Sequence, residues 1–262
     1  MRNRRIKPLL MGVVTAAALL AGCTDSKDAA APVAQPPVAA APEPGNTAAT
    51  PAAAPGDKRI IDQLFSLETV GMNLAYVEKI AGPAMRSEFH RHQFRSDGCE
   101  VTLLTDDADK VVNGVEVAIA PSCNLSLAPL LGGFAGEPPI TLNELTFGKY
   151  EQMLGGGYYA DCLSLCGNAA DPVVYLHAEG SRAMHLMEFM VQVPMVSGPV
   201  LNATSQWRDA MIKAESEDYV LDTRFNCDPQ RFRSVIATGL AAVKPTAFTF
   251  GRDLGFPPGE CS

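Results

Sequence analysis

From about residue 58 onward, two hydrophobic periods alternate along the chain. The first is helical. In Asn73-Leu-Ala-Tyr-Val-Glu-Lys-Ile-Ala-Gly82-Pro83, the apolar Leu74, Val77 and Ala81 recur at helical spacing, Asn73 can cap the first turn, and Gly82-Pro83 stops it. The second is the two-residue period of half-buried strands, over 90–95, 99–105 and 111–120, with Asp106, Asp107 and Asp109 as the turn between the last two.

The same order then returns. Thr146-Phe147-Gly148 echoes Thr69-Val70-Gly71 at an offset of about 77 residues, and Tyr150 to Gly155 echoes Tyr76 to Gly82 with a few residues deleted. Strands follow again, over 173–178 and 185–193, on either side of a Gly180-Ser181-Arg182 turn, with Met187, Phe189, Val191 and Val193 on one face. This predicts a duplicated helix-plus-meander unit, with repeats over 66–123 and 143–193.

Two further helices are expected within 204–243. One runs from 204 to about 217 with Trp207, Met211 and Ala214 on one side. The other opens at Asp228-Pro229 and repeats Phe232, Val235, Ile236 and Leu240 at helical spacing. The tail from Pro245 reads as a loop or edge strand pinned by Cys261. The expected fold class is α+β, an antiparallel sheet with helices on one face. The strand–helix–strand alternation of a parallel sheet does not occur in the sequence.

Upstream of 58 the pattern changes. Arg2, Arg4, Arg5 and Lys7 precede an apolar run over 9–20, and a membrane-spanning helix needs roughly 20 apolar residues, so the run reads as a signal segment. Residues 24–57 are Ala, Pro and small polar residues without period or aromatic ring, which cannot offset the entropy of ordering. They read as an extended linker. Leu20-Ala21-Gly22-Cys23 resembles the lipobox of bacterial lipoproteins. That resemblance implies a leader over 1–22, an acylated Cys23 bearing palmitate-type chains at the start of a 23–57 linker, and a periplasmic domain over 58–262. Thr24 in place of Asp after the cysteine implies export to the outer membrane. An ordinary cleaved leader, with Cys23 left for a disulfide, is the alternative.

Loss of the four leader cations takes the formal charge from −8 to −12, which argues against nucleic acid as a partner. Cys99, Cys123, Cys162, Cys166, Cys227 and Cys261 make an even set in an exported chain, so a disulfide framework is expected. Several connectivities are open; pairing of neighbours, 99 with 123, 162 with 166 and 227 with 261, is favoured. Paired Cys-x-x-Cys spacing for a metal is absent.

Candidate chemistry is sparse. His90-x-His92 puts two imidazoles on one face of a strand, with Glu88 as a third group, but a solvated strand explains it better than a metal site. His177, Glu179 and His185 flank a turn and could form an acid–base cluster. No Gly-x-Ser-x-Gly elbow, phosphate loop or His-Glu-x-x-His helix appears, and Gly155-Gly156-Gly157 reads as a flexible turn. No catalytic residue, metal or cofactor is therefore assigned. The stretch 155–172 carries Tyr158, Tyr159 and Asp161 beside Cys162 and Cys166, and a stapled loop bearing tyrosines makes a good contact surface. The alternative has Leu163 and Leu165 filling the core.

The helix with Gly71, Met72, Val77 and Gly82, followed by antiparallel strands, is similar to two groups: the small outer-membrane assembly lipoproteins of the SmpA/OmlA type and the tandem-repeat β-lactamase inhibitory proteins. The resemblance implies a binding scaffold rather than an enzyme. The expectation is a non-enzymatic, lipid-anchored periplasmic protein that contacts another envelope protein. An inhibitor or immunity protein for a periplasmic enzyme, and an envelope hydrolase using His177, Glu179 and His185, are the alternatives.

Overall fold

The structure, a computed structural model, describes residues 58–167, 171–179, 187–255 and 261. The leader, Cys23 and the linker lie outside the described residues, as does His185. Everything described belongs to the second of two units, Ala54–Ser262. Among the described residues, no helix is long and apolar enough to cross a membrane.

The elements run α1 (Ile60–Leu64), α2 (Leu74–Ala81), β1 (Arg86–Glu88), β2 (Arg91–Ser96), β3 (Cys99–Thr105), β4 (Val112–Ala118), α3 (Ala128–Leu131), α4 (Phe147–Leu154), β5 (Gly157–Ala160), β6 (Val173–Ala178), β7 (Glu188–Pro194), α5 (Gly198–Ala214), α6 (Glu217–Leu221), α7 (Arg233–Leu240) and β8 (Ala247–Gly251). One eight-stranded sheet takes all the strands in the order β1-β2-β3-β4-β8-β7-β6-β5. Every pairing is antiparallel, so the fold is α+β as expected.

The strand order falls into two similarly ordered halves. Helix α2 followed by β1 to β4 forms one half; helix α4 followed by β5, β6, β7 and β8 forms the other, and β4 meets β8 at the centre. Both helices have eight residues, a side-chain cap at the start and a left-handed glycine at the end: Asn73 and Gly82 for α2, Thr146 and Gly155 for α4. Matching these caps puts the repeat offset at 73 residues, not 77, because Thr146 caps its helix directly whereas Thr69 belongs to a separate 3-10 turn before Asn73.

The second repeat also does not end at 193. Its fourth strand is β8, displaced to 247–251 by the helices inserted after β7. The tail read as a loop or edge strand is thus a central strand, all five of its residues buried. Local sequence hides this, since the run is short and follows Pro245. Two helix starts move as well. Helix α5 opens at Gly198 with Pro199 in its first turn, and α7 opens at Arg233, because Asp228-Pro229 forms a turn in which Arg231 N–H bonds Asp228 O.

The core lies between the helices and one face of the sheet. Phe94, Val101, Val117, Phe248, Val191, Leu176 and Tyr158 stand in one cross-strand row on that face. Phe65, after α1, sets its ring edge-on to Phe250 at 5.6 Å, and the Tyr150 hydroxyl of α4 donates to Phe189 O. The expected disulfides form: Cys99–Cys123, Cys162–Cys166 and Cys227–Cys261.

Candidate functional site

Alternation in the strands sends a second set of side chains to the face away from the core. One row there runs from Arg86 through Gln93, Thr102 and Glu116 to Thr249, Met190 and His177. The middle of this face is sealed by the segment after β8. Gly114 and Gly251 face each other, and a Cβ on either would come within 2.8 Å of Leu254, so the segment can lie flat only over glycine. Either side of that seal, one half of the face carries a charged surface and the other a His–Glu cluster.

On the β1–β3 side, Arg86 pairs with Glu88, Arg91 with Glu116 and Arg95 with Glu100. Arg86, Glu88, Arg91, Gln93 and Glu116 line a shallow hollow whose rim is Phe89. Phe89 and His90 form the two-residue connection between β1 and β2, both with positive φ (47° and 61°). Such turns match the twist of a hairpin but favour Asn and Gly, so a phenylalanine and a histidine there carry backbone strain of order 1 kcal/mol each. Phe89 is 89% exposed.

The turn is held from beneath. Asp109, past the end of β3, uses one carboxylate oxygen, Oδ1, to accept from the Thr105 hydroxyl at 2.7 Å, from His90 Nδ1 at 2.9 Å and from His92 Nε2 at 3.2 Å. These bonds, the Thr105 hydroxyl first and the imidazoles next, hold the Asp109 carboxyl down at about 2. His92 Nδ1 contacts Ser87 Oγ at 2.9 Å, and Thr105 N–H donates to His90 O. The expectation of two imidazoles on one strand face with Glu88 is corrected here. His90 is in the turn, His92 is buried on the core side, and Glu88 pairs with Arg86 instead.

The tyrosine stretch is corrected too. Residues 157–160 form strand β5, not a loop base, and strand alternation separates the two tyrosines. Tyr158 is fully buried, stacked on Phe147, its hydroxyl donating to Glu151, and burial raises its phenol pKa. It is a core residue. Tyr159 points to the other face, half-buried, its ring set edge-on to that of His177 with centroids 6.1 Å apart. Asp161 is exposed, but its Oδ2 accepts from Val173 N–H and the Tyr175 hydroxyl, closing the base of the cysteine loop. In that loop Leu163 is buried and Leu165 is 85% exposed. Nor is Gly155-Gly156-Gly157 a free turn: a Cβ on Gly156 would meet His177 O at 2.3 Å.

At the end of β6, His177 Nε2 lies 2.9 Å from Glu188 Oε2, with His177 4% exposed, and Glu188 Oε1 accepts from Leu254 N–H at 3.3 Å. Ligand atoms of His177, Glu179 and Glu188 all lie within 4.8 Å of one another. Of the expected cluster of His177, Glu179 and His185, the last lies outside the described residues, and Glu188 joins the other two. It was signalled by the alternation that turns Phe189 and Val191 inward, which leaves Glu188 outward on the face of His177. Among the described residues these clusters are what the open face offers to a ligand or partner. Comparison of the chain with protein-family models, curated proteins and solved structures finds no match.

Proposed function

We propose that this protein is a lipid-anchored, non-enzymatic binding protein of the bacterial envelope, held by an acylated Cys23 at the periplasmic side of the outer membrane, and that it docks another envelope protein on the β1–β3 half of its open sheet face. The observation that carries this is Phe89. A large aromatic side chain is displayed almost fully to solvent on a strained turn, and a hydrogen-bonded hub locks that turn. Exposure of a large apolar group at a strained position is costly to a free domain and useful to an interface. Its surroundings fit as well. Arg86, Arg91 and Arg95 stand on this face of an otherwise acidic chain, and aromatic and arginine side chains supply most hot-spot energy. The lipobox-like stretch and linker upstream supply the tether.

The experiment is site-specific photocrosslinking in intact bacteria, with the crosslinker at Phe89 and, as a control, at Tyr76, which is exposed on helix α2. The proposal expects a discrete protein adduct from position 89 and none from 76. Adducts of equal yield from both positions, or none from 89, would overturn it.

A further inference from the structure

We propose that His177, Glu179 and Glu188 form a binding site for one first-row divalent transition-metal ion. This inference does not rest on the docking reading, which uses the other half of the sheet.

Strand geometry assembles the group. His177 lies near the end of β6, Glu179 follows one residue past that strand, and Glu188 opens the neighbouring β7. The β6–β7 register ends at Ala178 opposite Phe189, the sequence neighbours of Glu179 and Glu188, whose carboxylates come within 4.8 Å of each other. Like charges brought this close across neighbouring strands are destabilising. A divalent cation between them would reverse the sign of that interaction and leave the site neutral.

The donor set is already drawn together. One ligand atom from each residue lies within 4.8 Å of the other two, a spread that small rotations of two carboxylates reduce to the separations found around an ion with ligands at roughly 2.0–2.2 Å. Two of the three donors are held in place. The His177 imidazole is buried against Tyr159, and the second oxygen of Glu188 is fixed by Leu254 N–H, the kind of outer hydrogen bond that orients a metal-binding carboxylate. The imidazole selects against calcium and magnesium, which take oxygen ligands, and in favour of zinc and its neighbours. Among the described residues the site offers three protein donors, with Glu179 on its exposed side.

The test is equilibrium dialysis of the chelator-stripped full chain in detergent against zinc ion, with metal content read by mass spectrometry. The expected result is one zinc per chain, not displaced by a hundred-fold excess of calcium. Glu179→Gln, at an exposed position that leaves the fold intact by circular dichroism, should weaken binding by at least ~10-fold, and Glu188→Gln should do the same. Asp109→Asn, in the other histidine cluster, should leave it unchanged. Absence of stoichiometric zinc, calcium competing on equal terms, or affinity that follows Asp109 rather than Glu179 would each overturn the assignment.

Discussion

Asp109 holds the imidazole of His90 at 2.9 Å, and through that contact it fixes the turn from which Phe89 projects. The same carboxylate oxygen takes the Thr105 hydroxyl and the buried His92, so one acid organises the end of the β1–β2 hairpin. Its folded pKa is lowered to about 2, against about 3.9 in an unfolded chain. A depressed carboxylate contributes stability that is present above the unfolded value and is lost as pH falls through the folded one. Thermal melts of the wild type and Asp109→Asn should therefore differ wherever the carboxylate is charged, above about pH 4. The two curves should converge between about pH 4 and pH 2. A gap that persists unchanged at pH 2 would show that the carboxylate charge is not what holds the turn.

The outer edge of β5 is closed by a side chain. Asn226 Oδ1 accepts from Ala160 N–H at 3.1 Å and its amide donates to Ala160 O at 3.0 Å, as a neighbouring strand would. Asn226 is 2% exposed, so Asn226→Ala leaves two buried backbone groups unpaired, at ~1–3 kcal/mol each. It also uncovers a strand edge. We expect a loss of about 2–6 kcal/mol in urea unfolding and concentration-dependent association. A monomer of wild-type stability would contradict this account of the edge.

The two tyrosines should separate cleanly. Tyr158→Ala removes a fully buried ring stacked on Phe147 and should cost on the order of 3–5 kcal/mol. Tyr159→Ala, on the open face and half-buried, should cost clearly less. Equal losses in denaturant unfolding would mean that the β5 alternation is misplaced.

Gly156 is required by its surroundings. It sits at φ 113°, and an added Cβ would meet His177 O at 2.3 Å. Gly156→Ala should destabilise by at least ~2 kcal/mol from strain and displacement of the β5–β6 pair. A melting temperature within a degree of wild type would contradict the close approach.

What the sequence discloses and what it hides follow from range. Helix α2 is legible from eleven consecutive residues because its cap, stripe and stop are all local, and Asn73, Val77 and Gly82 do what their chemistry suggests. The disulfides follow nearest-neighbour pairing because each joins segments that the fold brings back together. Strand β8 is hidden because its five-residue run gives no sign that it inserts between β4 and β7. Its place is a matter of long-range register. The two candidate clusters are hidden for the same reason. Glu188 is visibly outward on its strand, and Asp109 is visibly in a turn, but only pairing of β6 with β7 and of β2 with β3 brings them to His177 and His90. Tyr158 and Tyr159 mislead when read as a loop, because adjacent residues of a strand never share a face.

The central claim is that the β1–β3 face around Phe89 binds an envelope protein. Its most direct test is the affinity of the partner captured from position 89 for the wild type and for Phe89→Ala, measured by titration calorimetry with both proteins in detergent. The account predicts at least a ~30-fold loss of affinity, the size of a hot-spot aromatic of about 2 kcal/mol. Stability should change by less than ~0.5 kcal/mol, as for exposed side chains away from the core. Unchanged affinity of a folded Phe89→Ala protein would contradict it.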